Sequence, residues 1–73
     1  MYDYRKLYGR IVEKYGTQHN FADKMGMSDH SISKKMCGKS PWKQTDIEKA
    51  CSLLSIKKED IGIYFFTLDV QYA

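Results

Sequence analysis

His30 and Ser33 stand three residues apart, one turn of a helix, the spacing at which an imidazole can face a hydroxyl. Nucleophilic catalysis also needs an orienting acid and an oxyanion hole, and without them such a pair is ordinary helix surface. Metal chemistry is no better served. Cys37 and Cys51 have no second cysteine two to four residues away, and His19 and His30 lack finger-like spacing. The cysteines therefore read as a reduced helix-end thiol and a small core residue. No glycine loop of the phosphate-cradling kind is present. We expect no enzyme, no metal and no cofactor.

The charged residues suggest a binding surface instead. Residues 1 to 45 carry nine Lys or Arg against four acids, whereas the remainder carries three against five. An anionic partner should meet the first half of the chain. Lys34, Lys35, Lys39 and Lys43 form a stretch with no acid between them. Asp29 interrupts the picture just upstream, where a helix should begin.

The elements that must position these residues are legible from apolar spacing. Tyr4, Leu7, Tyr8, Ile11, Val12 and Tyr15 fall on one helical face, with Asp3 placed to cap it and Gly16 to end it. Thr17 caps a short second helix, Gln18 to Met25, with Phe21, Ala22 and Met25 as its apolar positions. Gly26 supplies the turn, and Ser28 caps a third helix that directs Ile32 and Met36 inward and stops at Gly38. Gly38 to Trp42 is a loop, because Pro41 cannot continue a helix, and Trp42 should seal it onto the core. Ile47, Ala50, Cys51 and Leu54 mark a fourth helix from about Gln44 to Leu54, and Ile61, Tyr64 and Phe65 a short fifth. From Phe66 to Tyr72 apolar and polar residues alternate, a half-buried strand signature. That segment could pair with a second copy to give a homodimer, pair with another protein, or pack on its own core.

These readings define a single all-α domain, residues 1–73, with a helix-turn-helix over about 17–38 and an extended C-terminal segment over about 66–73. Its 42% apolar and 29% charged residues are ordinary for a globular domain, and no apolar run approaches the length of a membrane span. The N-terminus lacks a basic flank followed by an apolar stretch, so a cytoplasmic location and no membrane partner are expected.

Gln18, Ala22, Gly26, Ile32, Ser33 and Gly38 occupy the pattern Gln-x-x-x-Ala-x-x-x-Gly-x-x-x-x-x-Ile-Ser-x-x-x-x-Gly, which resembles the lambda-repressor-like and Cro-like helix-turn-helix regulators of phages. "PWKQTDIEKACSLLSI" and "DIGIYFF" are similar to later segments of short Cro-like regulators from temperate phages of Gram-positive bacteria. Within that group the chain resembles the modulators of repression, or antirepressors, of lactococcal phages. The resemblance implies a place in a lysogeny switch, in a host bacterial cytoplasm, with the cognate phage repressor as partner. It also implies departures. Lys35 stands where the group has an apolar residue, Met36 where many members have an acid, and Ser55 replaces a common glycine. Either the third helix is slightly rotated, or the Lys35 stem packs with its amine in solvent.

Two uses of the third helix follow. As a DNA reader, it would place Ser28, His30, Ser33 and Lys34 at bases and phosphates, with Gln18 at a phosphate and Lys39 and Lys43 adding counterion release. Asp29 fits this poorly: a carboxylate roughly 6 Å from a phosphate costs about 0.7 kcal/mol even in water, although it could accept from cytosine. As a protein binder, the same helix would offer Asp29, with His30, Ser33 and Lys34, to the basic reading face of the repressor. Asp23 and Glu13 could extend that patch, though each is more simply a solvated charge.

Overall fold

The computed structural model describes residues 2–68. Five α-helices follow in order: α1 (Arg5–Tyr15), α2 (Gln18–Met25), α3 (Asp29–Met36), α4 (Gln44–Leu54) and α5 (Ile61–Phe65), with a single 3₁₀ turn at Lys58–Asp60 leading into α5. The expected boundaries hold for α2 and α4, and the short fifth helix is present. The apolar stripe of α1 is wider than its buried face. Leu7 and Ile11 are fully enclosed, whereas Tyr8 and Val12 are exposed.

The helix starts follow local chemistry. Thr17 Oγ1 accepts from the Asn20 N–H at 3.1 Å, and Ser28 Oγ accepts from the Ser31 N–H at 3.1 Å, as their types require of caps. At α1 the position is shifted by one: Tyr4 is the N-cap by backbone, while Asp3 Oδ1 reaches over it to accept from the Arg5 N–H at 2.9 Å. The Arg5 guanidinium and N–H hold the Asp3 carboxyl down at about 2. Gly26, at φ +73°, lets α2 stop and the chain turn within two residues, with its N–H and that of Met27 closing onto Asp23 and Ala22 carbonyls.

The C-terminal ends of α1, α2 and α4 are met by side chains from neighbouring elements. Asn20 donates to the Tyr15 carbonyl at 2.9 Å, and Lys49 of α4 donates to the Met25 carbonyl at 3.0 Å. From α1, Arg10 Nε donates to the Leu54 carbonyl at 2.9 Å and Tyr15 Oη to the Leu53 carbonyl at 3.1 Å. Cations and donors at carbonyl ends also suit the helix dipole. Each contact orients one helix on another, so the bundle that carries α3 is braced at its termini as well as through its core.

That core comprises Leu7, Ile11, Phe21, Ala22, Met25, Ile32, Ala50, Leu54, Ile56 and Phe65. The small Ala22 and Ala50 allow α2 and α4 to approach the other helices closely. Trp42 closes the loop before α4 as expected, its ring edge-on to Phe65 at 5.2 Å and tilted on Tyr4 at 6.3 Å. Both thiols are free, Cys37 exposed and Cys51 half-buried, where burial raises its pKa. No helix among the described residues is long and apolar enough to cross a membrane.

Ser55 ends α4 at φ +55°, the left-handed region that costs an L side chain roughly 1–2 kcal/mol. Ser55→Gly should therefore stabilise the domain by about 0.5–1 kcal/mol after the extra chain entropy of glycine is counted. A rise of a few degrees in Tm by circular dichroism would confirm it, and a fall would show that the serine makes a compensating contact.

The C-terminal segment is partnered within the chain over the part described. Leu68 forms an isolated antiparallel bridge with Tyr2, and the Asp3 N–H donates to the Thr67 carbonyl at 2.7 Å. Tyr2 stacks edge-on against Phe66 at 5.6 Å. The period-two signal is thus answered by one bridge to the N-terminus and no strand among the described residues. The rest of the expected segment, 69–73, lies outside them.

Candidate interaction face around the third helix

The α2–turn–α3 unit exposes a polar surface that short side-chain bonds organise. Gln18, at the start of α2, donates from Nε2 to Ser33 Oγ at 3.2 Å. His19, one residue on, places Nδ1 at 2.8 and 2.9 Å from the two carboxylate oxygens of Asp29. Two successive residues of α2 thereby fix the first turn and the middle of α3. Asp29 also sits in the first turn of its helix, where a negative charge complements the dipole.

Several predicted site residues meet here with altered availability. Ser28 spends its hydroxyl locally, accepting from the Ser31 N–H and donating to Ser31 Oγ at 3.0 Å. Ser33 is half-buried under Gln18, so both are drawn into the helix pairing. His30, Lys34, Lys39 and Lys43 remain exposed. Asp29 is exposed too, with its side chain 62% accessible despite the His19 contact. Glu13 is held by Arg10 on α1, and Asp23 is solvated.

Lys35 corrects the sequence expectation. Its amine is not in solvent: the residue is 7% exposed, and Nζ lies 2.9 Å from the Pro41 carbonyl and 3.0 Å from Asp46 Oδ2. Met36, expected inward, is only half-buried, so the inward face of α3 is set by Ile32 and Lys35. Asp46 accepts in addition from the Lys43 N–H at 3.0 Å, which caps α4. Burial pushes the Asp46 carboxyl up, but the Lys35 hydrogen bond, the Lys43 N–H and both lysine charges outweigh it and hold it below its ordinary value. Nζ of Lys35 also stands 6.0 Å from the Trp42 ring centre. One buried cation thus ties α3, the loop and α4 together.

Sequence reasoning missed His19, Asp46 and the burial of Lys35. The only signal for the last pair was a lysine at an apolar position of α3. Beside it, Met27, Ser31, Lys34, Lys35, Ser40, Lys43 and Asp46 line a concavity of about 330 Å³.

Among the described residues, then, the chain is a small all-α domain of five helices in which a glycine turn presents a short, charged third helix. The chain belongs to the family described as "Protein of unknown function (DUF739)", whose model matches residues 1–68. It is similar to the modulator of repression of the temperate bacteriophage TP901-1 from Lactococcus lactis, known from a solution structure. The two share 48% identity with a TM-score of 0.81, over 89% of this chain and 88% of that one. Among curated proteins no match was found. The likeness bears out the subgroup resemblance read from the sequence.

Proposed function

We propose that this protein is an antirepressor of a phage lysogeny switch, which binds the DNA-binding domain of the cognate repressor through the face around α3 and blocks its hold on the operator. The observation that carries this is the exposed carboxylate of Asp29 at the head of the helix that would otherwise enter DNA. A repressor's reading face is basic by necessity, so Asp29 gains there what it loses beside phosphates. The 48% identity to a modulator of repression supports the same reading. A helix-turn-helix that meets another helix-turn-helix explains why the fold is kept while its reading helix carries an acid.

Titration calorimetry with the purified repressor domain tests this. Asp29→Lys should weaken association about tenfold, or about 1.4 kcal/mol, while strengthening nonspecific DNA binding. Equal or tighter repressor binding would sink the mechanism. A second reading, operator binding by this protein alone in the manner of a Cro-like repressor, is favoured by exposed Lys34, Lys39 and Lys43. It requires a discrete gel shift on early-promoter DNA without repressor, lost when His30 and Lys34 are changed.

A further inference from the structure

The concavity beside α3 is built differently from the Asp29 end. Ser31, Lys34 and Lys35 approach it from α3, and Ser40, Lys43 and Asp46 from the loop and α4. Three lysines and one aspartate thus line it, and that carboxylate is already committed to Lys35 and the Lys43 N–H. The amines of Lys34 and Lys43 have no ion-pair partner among the described residues. Two serines add hydroxyls at the same wall. A cavity of about 330 Å³ admits a carboxylate side chain together with its retained water.

Position along the helix adds a constraint. Asp29 leans toward α2, where His19 holds it, whereas Lys34 flanks the opposite side of the exposed surface, toward α4. Five residues separate them, about 7.5 Å along the axis. His30 lies exposed between them. The face is therefore electrically two-sided, acidic at one flank and basic at the other.

We propose that the Lys34–Lys43 concavity receives an acidic side chain, Asp or Glu, of the protein partner, while Asp29 meets a basic residue of the same partner. The proposal rests on the antirepressor reading and extends it to a second, oppositely charged contact. A polyanion satisfies only the basic flank and is repelled at the other, whereas a protein surface can satisfy both. Charge alternation of this kind also fixes the register in which two small domains dock, because sliding or inverting the partner brings like charges together.

The test uses the full chain with the repressor's DNA-binding domain in calorimetry, and a short nonspecific DNA duplex in a parallel gel shift. The variants are Lys34→Glu with Lys43→Glu, Asp29→Lys, and the wild type. Both lysines are exposed, and circular dichroism checks that the fold is kept. The double variant should bind the repressor domain about tenfold or more weakly, with Lys34→Gln plus Lys43→Gln intermediate. If Asp29→Lys weakens repressor binding and the double lysine variant does not, the concavity proposal is overturned while the antirepressor reading stands. If the lysine variants lose only duplex binding, the concavity is a phosphate site and the proposal is likewise overturned. If the wild type fails to bind the repressor domain at all, the antirepressor reading itself falls, and the second contact with it.

Discussion

Phe21→Ala should lower the unfolding free energy by about 3–5 kcal/mol, the range for removing a fully enclosed aromatic ring. Phe21 is 0% exposed and lies against Tyr15 with ring centres 5.8 Å apart. Its position in α2 places it under the helix pair that presents the candidate interaction face. A domain of this length has a total stability of roughly 4–11 kcal/mol at the usual 0.05–0.15 per residue, so the variant forfeits between about a quarter and all of it. The ring also supports α1, whose Arg10 and Tyr15 hold the end of α4, so the loss should spread as one cooperative transition. Urea unfolding by circular dichroism should show a much lower midpoint or no folded baseline. A change below about 1 kcal/mol would mean that neighbouring side chains collapse into the space.

Asp46→Asn is expected to cost about 1.5–3 kcal/mol, the scale of a hydrogen bond to a charged group whose partner stays enclosed. The amide removes the charge opposite Lys35, whose side chain is only 9% accessible, and leaves its ammonium with the Pro41 carbonyl. It also weakens the cap at the start of α4. Lys35→Met should cost a comparable amount, because it leaves the enclosed Asp46 carboxylate with the Lys43 N–H alone. The pH dependence has a definite sign. The folded-state pKa of Asp46 lies below its ordinary value of 3.8. Its contribution is therefore complete above about 3.8 and is lost as pH falls through the lower, folded-state value. Stability curves of wild type and Asp46→Asn should converge in acid. Parallel curves down to pH 2 would show that the pair contributes nothing.

Asp46 illustrates why the site was only partly legible. Its sequence neighbours mark it as an ordinary first-turn acid of α4, and nothing local indicates that an ammonium 11 positions earlier will be enclosed against it. The same holds for His19 and Asp29, ten residues apart, and for Gln18 and Ser33, 15 apart. By contrast, Thr17, Gly26 and Ser28 act within one or two turns of their own positions, and their roles followed from residue type and spacing alone, as did the burial of Ile32. The C-terminal alternation lies between these cases. Its period was readable, but the residue it bridges is Tyr2, at the other end of the chain.

By itself, then, the amino-acid sequence determined the five helices, the glycine turn, the basic first half and the acid at the head of α3, because each is encoded by contacts within a few residues. Tertiary structure alone decided that Lys35 is enclosed and paired, that His19 clasps Asp29, and that Lys34 and Lys43 flank one concavity. Those outcomes depend on how α2, α3 and α4 pack. Packing brings charges from distant positions within 3 Å or so, where enclosure makes their pairing matter.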